Sequence, residues 1–333
     1  MNDNVVKSSA SVEVVEKIAG PLFTIFTPAY NRATLLPRVY ECLKAQSIRD
    51  FEWVIVDDGS TDNTRAVVEA WREEGDIPIH YHWKENGGKH SAVNRGISVA
   101  RGCYFIVVDS DDWLIPRALE ILKCNWEKIA DQDNFVGVIG LFSYESGEIV
   151  GDRFPHHPFI SNSVDLRFRH RLHGDKVGAN RTAVLKAYPF PADLSRNYVS
   201  ESLIWNRIAE KYDTLFINEV IGIKEYQAGG ITDNSSLNDW RNPVAGRLHA
   251  AELLDNRRGI PLDSRIKAVA RLIKCSIYSC KSPFVVRRLT DKLLIPLLSP
   301  LALVLIARDL WRLRKLKGRN SGVGPIRPEE RLT

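Results

Sequence analysis

The sequence lacks paired cysteines, a dinucleotide fingerprint, internal repeats and long runs of low complexity. Its five cysteines are odd in number, and none has the spacing of a zinc knuckle. They are Cys42, Cys103, Cys124, Cys275 and Cys280. We therefore expect reduced, mostly buried thiols. The first predicted strand is followed by "TPAYNRAT" rather than Gly-x-Gly-x-x-Gly, which argues against a dehydrogenase-like domain.

A signal peptide and a general excess of positive charge are also missing. Residues 1–20 contain no apolar stretch of signal-peptide length, so we expect a protein that is not secreted. The formal net charge is +5, and residues 308–319 alone carry six Lys/Arg against one Asp. The positive charge therefore belongs to one tail, and we expect no nucleic-acid partner.

What the sequence does contain is a β-α alternation over its first 130 residues. Four apolar runs have the length of strands, and a segment of helical periodicity follows each of them. The runs lie at 22–27, 52–58, 79–84 and 104–109. This pattern predicts an α/β fold with a Rossmann-like, mostly parallel sheet that helices flank on both faces.

The rest of the chain changes character twice. Short strands surround one helix at 200–212, a polar helical region follows, and the chain then becomes apolar over 293–307 before the basic run. We divide the chain into an extension, a donor-binding half, an acceptor-binding half of the same domain, a helical extension and a membrane-associating tail. Their bounds are 1–20, 21–130, 131–235, 236–282 and 283–333.

Three carboxylates crowd the end of the fourth strand, in "FIVVDSDDW". Asp109, Asp111 and Asp112 repel one another unless a positive charge lies among them. A divalent cation that also contacts phosphate oxygens would offset this repulsion. Alternatively, Asp111 or Asp112 caps the helix that begins near Pro116. Because capping needs one Asp rather than three, we favour metal plus phosphate.

Polar groups also follow the other predicted strands, at the sheet edge where α/β proteins bind ligands. In "DDGSTD", one of Asp57 and Asp58 can accept a hydrogen bond from a base N–H, while the other braces the loop. In "ENGGKH", two glycines offer backbone N–H groups and Lys89 supplies a cation. Tyr30 in "TPAYN" can stack on a flat ring, or it can pack against its neighbours.

These motifs together resemble a known family. "FTPAYNR", "WVIVDDGSTDNT", "NGGKHSAVNRGI" and "YFIVVDSDDWLIP" resemble, in order and over roughly residues 20–130, the inverting nucleotide-sugar glycosyltransferases of family 2, which have a GT-A fold. A weaker resemblance runs through "DKVGANRTAVLKAYPFPADLS", "VSESLIWNRIAEKY" and "FINEVIGIKEYQAGGIT". These segments are similar to the acceptor half of a bacterial branch that makes cell-surface polysaccharides.

The resemblance implies a base-binding site for the donor, a nucleoside diphosphate sugar. Thr27, Pro28 and Tyr30 match the motif that contacts the nucleotide base. Asp58, or its neighbour Asp57, matches the carboxylate that reads the base. That contact suits uridine, so a UDP-sugar is the expected donor.

The resemblance also implies a diphosphate and metal site. Lys89 and Asn94 lie in a segment that lines the nucleotide side of the cleft. Asp109 and Asp111 match the D-x-D motif that contacts the ribose and holds Mn²⁺ or Mg²⁺ on the diphosphate. Asp112 is the alternative metal ligand, because adjacent Asp pairs align ambiguously in this family.

Two departures concern the acceptor half. The family's general base is often the Asp of a Glu-Asp pair before a helix, whereas this chain has Glu201 followed by Ser202. The branch often carries a Glu before a "SLIW"-like helix, which favours Glu201 as the base; it can instead be a helix-start carboxylate. Ala192 stands where the branch commonly has Glu. The implied reaction is one displacement at the anomeric carbon with inversion.

The apolar and basic tail predicts contact with an anionic membrane surface, because 293–307 is short for a span and contains two prolines. A buried helical hairpin is the alternative, and a re-entrant segment is a third. We expect a protein attached to the cytoplasmic face of the cell membrane, acting on a glycan or lipid-linked acceptor. Two rival functions are an inactive membrane-bound binding module and a metal-dependent nucleotidyltransferase.

Overall fold

The computed structural model describes residues 20–225 and 238–319 of the chain. All of the predicted extension except Gly20 falls outside these ranges, as does the "QAGGIT" motif. The division of the chain into a donor half, an acceptor half and later segments stays a prediction.

The donor half is built from four parallel strands with helices between them. The strands are β1 (Phe23–Ala29), β2 (Phe51–Asp57), β3 (Ile79–Trp83) and β4 (Tyr104–Val107), and the helices are α1 (Leu36–Lys44), α2 (Thr64–Glu74) and α3 (Lys89–Val99). They form the order β3-β2-β1-β4. The predicted β-α alternation is therefore confirmed. The fourth strand ends two residues earlier than predicted, at Val107.

The acceptor half continues the same sheet with mostly antiparallel pairings. The predicted donor half, residues 21–130, ends with β5 (Asp112–Leu114) and α4 (Ala118–Glu127). The predicted acceptor half contains β6 (Phe135–Ser143), β7 (Phe159–Ser161), α5 (Ser163–Phe168), β8 (Lys176–Arg181), α6 (Thr182–Ala187), α7 (Ser202–Ile208) and β9 (Asp213–Lys224). The sheet runs β3-β2-β1-β4-β8-β6-β9-β5, and β7 pairs with β9. β6 and β9 are parallel, whereas β8, β5 and β7 run antiparallel to their neighbours. The result is a mixed α/β sheet flanked by helices, which confirms the predicted fold class.

The register brings the strand ends to one edge of the sheet. Ala29 pairs with Asp57, and Asp57 pairs with Trp83. On the other side of β1, Phe26 pairs with Val107. Because all four strands are parallel, the loops that follow them leave from the same edge.

Both faces of the donor half are covered by apolar side chains. Along β1, Ile25 belongs to the core on one face and Phe26 to the core on the other, as the two-residue period of a strand requires. On the Ile25 face, Tyr40 and Trp71 stack with their ring centroids 4.5 Å apart. On the Phe26 face, α3 approaches so closely that a Cβ on Gly96 would lie 2.3 Å from the Phe26 ring.

Four helices follow the sheet within the described residues, and the last three of them share a separate apolar core. They are α8 (Asn238–Arg241), α9 (Pro243–Asp255), α10 (Leu262–Tyr278) and α11 (Leu289–Arg319). Leu254, Val269 and Leu272 are buried in this core, so the predicted helical region is confirmed. The apolar segment 293–307 belongs to a helix of 31 residues that contains both prolines.

All five cysteines are free thiols, as predicted. Cys42 and Cys275 are buried, but Cys124 and Cys280 are exposed. The expectation of mostly buried thiols is therefore wrong for these two, since Cys124 lies on the exposed face of α4 and Cys280 lies in the turn after α10.

Candidate active site

The three carboxylates predicted to bind metal lie together at the edge of the sheet. Oxygen atoms of Asp109, Asp111 and Asp112 are all within 4.8 Å of one another. A turn after β4 brings them together, in which the Asp112 N–H donates to the Asp109 carbonyl at 3.0 Å. Asp112 then opens β5, which pairs with β9.

Asp112 is the innermost of the three and is neutralised by a lysine. Lys224, its partner in the β5–β9 register, donates to both carboxylate oxygens at 3.0 and 3.3 Å. Burial, together with the charges of Asp109 and Asp111, raises the pKa of Asp112 to about 7 in spite of Lys224. The Lys224 contact makes Asp112 a support of the cluster, and leaves Asp109 and Asp111 as the better-placed metal ligands.

Asp109 is held from the opposite direction by Lys89. The Lys89 ammonium lies 2.8 and 2.9 Å from the two Asp109 oxygens and 2.8 Å from Glu201 Oε1. Burial disfavours the Lys89 charge, but the two carboxylates outweigh it and raise the Lys89 pKa. Burial likewise opposes ionisation of Asp109, but Lys89 outweighs it and lowers the Asp109 pKa. One ammonium thus joins the predicted metal site to the predicted base.

Asp111 differs from its two neighbours because no side chain within 20–225 or 238–319 donates to it. Its carboxylate therefore keeps open acceptor positions beside Asp109, which suits the oxygen-rich coordination that Mn²⁺ and Mg²⁺ prefer. The alternative that these carboxylates cap a helix is wrong. Helix α4 begins at Ala118 after Arg117, with no side-chain cap.

The two carboxylates after β2 both brace loops. Asp57 accepts hydrogen bonds from the Ser60 N–H at 2.7 Å and the Tyr81 hydroxyl at 2.5 Å. Asp58 accepts from the Lys84 ammonium and from the N–H groups of both glycines of the "ENGGKH" loop, at 2.7 to 2.9 Å. We expected one of the two carboxylates to support the loop, whereas in the structure both of them do so. The base contact of either one stays a prediction.

Fewer side chains than predicted are exposed at the end of β1 and in the loop that follows it. Tyr30 is 47% exposed at the rim, and Pro28 is half-buried. The Thr27 side chain is fully buried, and its hydroxyl accepts from Trp53 Nε1 at 3.0 Å. Thr27 therefore cannot present its hydroxyl to the cleft. Asn31, which the sequence did not single out, accepts from the Thr61 N–H at 2.8 Å and ties this loop to the next.

Asn94 has a structural partner in the acceptor half. Its amide donates to the Phe190 carbonyl at 2.8 Å and accepts from the Phe190 N–H at 2.9 Å. These two hydrogen bonds fix α3 against the segment at Phe190, and the ligand contact of Asn94 stays a prediction. Asn94, Lys84 and Ala192 line a cavity of about 440 Å³ between these two parts of the chain. The Asp cluster is not part of its lining.

Glu201 stands at the start of α7, where it does not serve as a cap. Its side chain makes no capping hydrogen bond and is 42% exposed beside Lys89. Ser202, which replaces the family's usual Asp, has its hydroxyl 2.9 Å from His249 Nε2 in the helical extension. The Ser202 hydroxyl is therefore engaged with His249, whereas the Glu201 side chain is engaged with Lys89.

The carboxylate cluster and Glu201, joined by Lys89, lie at one edge of a mixed α/β sheet. The model of "Glycosyl transferase family 2" matches residues 24–190, which is half of the chain. The chain belongs to this family.

Individual relatives agree with this assignment. The chain is 31% identical over 127 residues to the glycosyltransferase GlyG of Streptococcus pneumoniae serotype 4, and 41% identical over 102 residues to a chondroitin synthase of Pasteurella multocida. These matches cover 38% and 30% of this chain, but only 41% and 10% of the relatives. The chain therefore spans less than half of the length of these curated relatives.

Solved structures show the same fold at low identity. S. aureus TarS 1–349 in complex with UDP has a TM-score of 0.56 at 18% identity, and the match covers 92% of this chain and 93% of that one. A mannosyltransferase from Pyrobaculum calidifontis, in complex with GDP-Man and Mn²⁺, has a TM-score of 0.50 and covers 92% and 77%.

Proposed function

We propose that this protein is a metal-dependent, inverting glycosyltransferase that transfers a sugar from a UDP-sugar to a hydroxyl group of a glycan or lipid-linked acceptor. The observation that carries the proposal is the Lys89 ammonium, which lies 2.8 Å from both Asp109 and Glu201. This distance sets an acceptor-side carboxylate directly beside the carboxylates suited to a metal and a diphosphate.

Solved structures of two proteins support the donor and the metal. TarS has been crystallised with UDP and with UDP-GlcNAc, and the Pyrobaculum enzyme with GDP-Man and Mn²⁺. In this chain, Asp109 and Asp111 would hold Mn²⁺ or Mg²⁺. Asp112, which is paired with Lys224, would support these two carboxylates. Tyr30 at the rim would stack on the base, and the loop that Asp58 braces would line its site.

Glu201 is the proposed general base. It would take the proton of the acceptor hydroxyl as that oxygen attacks the anomeric carbon from the face opposite the departing diphosphate. A bound metal ion supplies charge neutralisation for the leaving UDP. Lys89 keeps Glu201 near the Asp cluster before substrates arrive, because its ammonium bonds to both. A single displacement inverts the anomeric configuration.

The C-terminal helix supports attachment to a membrane surface. Residues 289–311 are long and apolar enough to cross a membrane. Yet Asp291 and Asp309, near the two ends of this segment, are buried in ion pairs with Arg265 and Lys274 of α10. A helix docked to the protein along its length fits a position in the plane of the membrane better than a span.

The outward side of α11 has the composition of such an interfacial helix. Five of its exposed apolar residues recur every three or four positions and so form one stripe. They are Leu289, Leu293, Leu297, Leu301 and Val304. Exposed cations flank the stripe at Arg287, Lys292 and Arg308, which suits the anionic cytoplasmic leaflet. Docking there would concentrate the enzyme beside a lipid-linked acceptor.

The function is tested by product analysis. The protein is incubated with UDP-sugars and Mn²⁺, and the released nucleotide is identified. We expect UDP from the wild type and at least about a hundredfold slower release from Glu201→Gln. Glu210→Gln is the matched control, since Glu210 lies just beyond α7 and pairs at 4.0 Å with Arg257. Pyrophosphate release would indicate a nucleotidyltransferase, and indifference to Glu201→Gln would indicate a binding module or a different base.

Membrane attachment is tested separately. A chain that ends at residue 283 is compared with the full chain for sedimentation with vesicles that contain phosphatidylglycerol. We expect binding by the full chain, weaker binding at high salt, and loss of binding after truncation. Equal sedimentation of both proteins would contradict a role for α11 at the membrane.

A further inference from the structure

A line of charged and polar side chains runs from the C-terminal helix towards the active site. It begins at Asp309 of α11, which is 2% exposed and accepts from the Lys274 ammonium at 3.1 Å. Lys274 also lies 2.9 Å from Asp239 Oδ2. One carboxylate oxygen of Asp239 is thus paired with a lysine of α10.

The line continues through a buried histidine. Asp239 Oδ1 accepts from Arg271 Nε at 2.9 Å and from a terminal guanidinium nitrogen at 2.8 Å. The other terminal nitrogen of Arg271 lies 2.8 Å from His249 Nδ1. His249 Nε2 lies 2.9 Å from the Ser202 hydroxyl, which is 2.6 Å from the Ser200 hydroxyl.

The direction of these hydrogen bonds is set by Arg271. Because a guanidinium group can only donate, His249 Nδ1 must accept, and its single proton resides on Nε2. Nε2 then donates to Ser202, whose hydroxyl is hydrogen-bonded to that of Ser200. The amide nitrogen of Asn206 also lies 3.4 Å from Nε2. Burial and the nearby Arg271 charge lower the His249 pKa to about 3, so the ring is neutral in this arrangement. The Arg271 contact thus fixes the His249 tautomer that bonds to Ser202.

The line ends on both sides of the proposed base. Ser200 and Ser202 flank Glu201, so their hydroxyls are fixed while the Glu201 side chain extends to Lys89. The Ser200 and Glu201 carbonyls also accept from the first N–H groups of α7, those of Leu203 and Ile204, each at 3.1 Å. The backbone at Glu201 is thus held by α7 and, through Ser202, by the helical extension.

We propose that His249, Arg271 and Asp239 are positioning residues for Glu201, and that docking of α11 through Asp309 keeps them in place. This inference rests on the proposed role of Glu201. It makes the C-terminal helix a contributor to turnover as well as a membrane anchor. A small movement of Glu201 would be enough to slow the reaction, because a displacement of about 1 Å at a reacting group can cost two orders of magnitude in rate.

A second ion pair between α10 and α11 provides the comparison that separates positioning from general stability. Arg265 lies 2.6 and 2.7 Å from the two Asp291 oxygens, and Asp291 is fully buried. In the part of the chain described by the structure, neither side chain contacts any residue of the line. Loss of this pair loosens the same two helices without touching the route to Glu201.

The test uses Ser202→Ala, Asp309→Asn and Asp291→Asn in the full chain. The readouts are the rate of UDP release from a UDP-sugar with water as acceptor, the UDP–Mn²⁺ dissociation constant and the melting temperature. We expect kcat to fall about 5- to 20-fold in the first two variants, with KM for the donor and UDP affinity unchanged. Asp291→Asn should lower the melting temperature and keep the wild-type kcat. Ser202→Thr, which retains the hydroxyl, should restore most of the rate.

The double variant provides an independent check that still holds if Asp309→Asn proves unstable at higher temperature. Residues in one line act in series, so Ser202→Ala/Asp309→Asn should match the slower single variant rather than multiply the two effects. A wild-type kcat in Ser202→Ala, or equal losses in Asp291→Asn and Asp309→Asn, would overturn the positioning role. If the wild type releases UDP and Glu201→Gln does not, the proposed function stands whatever the outcome for this line.

Discussion

Lys89→Met provides the most informative single perturbation of this site. The Lys89 ammonium bonds to Asp109 and Glu201, so it competes with a metal ion for Asp109 before any nucleotide binds. Methionine keeps much of the side-chain length and removes the charge. We therefore expect Lys89→Met to bind free Mn²⁺ more tightly than the wild type, although it should turn over more slowly.

The size of the effect follows from the distances. A metal ion about 2.1 Å from an Asp109 oxygen would lie on the order of 5 Å from an ammonium that is itself 2.8 Å from that oxygen. Repulsion between charges of +1 and +2 at this separation is about 1.7 kcal/mol in water and about 7 kcal/mol at an effective dielectric constant of 20. Since Lys89 is partly exposed, we take the lower value, which corresponds to roughly twentyfold tighter binding.

The assay is titration of the protein with Mn²⁺, in which the electron paramagnetic resonance signal reports free Mn²⁺. Lys84→Met is the matched control, because Lys84 has a similar exposure and bonds at 2.7 Å to Asp58 rather than to the metal cluster. Its Mn²⁺ affinity should stay within about twofold of the wild type. Weaker or unchanged Mn²⁺ binding in Lys89→Met would refute the view that Lys89 and the metal share Asp109.

Three further predictions concern stability. His249 is neutral in the fold and binds a proton below pH 6.5 when unfolded, so the free energy of unfolding should decrease as the pH is lowered. From pH 7.5 to 5.5, urea unfolding should show that the wild type loses about 1.4 kcal/mol more than His249→Asn, and equal losses would contradict this. Lys224→Met leaves buried Asp112 unpaired and should lower the free energy of unfolding by about 3–5 kcal/mol. Adding Asp112→Asn to Lys224→Met should recover part of this loss, and no recovery would argue against the pair. Gly96→Ala should cost about 1–3 kcal/mol by thermal unfolding, because its Cβ would meet Phe26, and a wild-type melting temperature would contradict that packing.

The donor half could be predicted from the sequence because its signals are local. Buried parallel strands are apolar runs, and the helices between them have a clear period, so β1 to β4 follow from the pattern alone. Strand β5 was missed because it has three residues, and its pairing with β9 depends on a segment more than a hundred residues later. The antiparallel strands of the acceptor half have no comparable local signature.

The site was predictable where its residues share one loop and not where distant segments meet. The Asp cluster and Lys89 were found because carboxylates and a cation follow predicted strands. Lys224 was missed because it lies at the end of an apolar strand, and its contact with Asp112 exists only in the folded sheet. Thr27 was misjudged because strand alternation turns its hydroxyl towards Trp53, which a motif match does not reveal.

The His249 line was also out of reach of sequence reasoning. Each member is an ordinary polar residue on a helix, and nothing in the local pattern distinguishes it from a solvated one. The Ser202 departure was noted as a missing carboxylate, whereas in the fold its hydroxyl has a defined partner 47 positions away. A departure from a family motif can thus mark a new structural contact.

The central claim is that Asp109 and Asp111 hold a divalent cation that binds the UDP diphosphate next to Glu201. Calorimetric titration of UDP into the wild type and Asp111→Asn, each with Mn²⁺ and with EDTA, tests it directly. We expect Mn²⁺ to strengthen UDP binding at least about tenfold in the wild type and to have little effect in Asp111→Asn. UDP binding of equal affinity with Mn²⁺ and with EDTA in the wild type would contradict the claim.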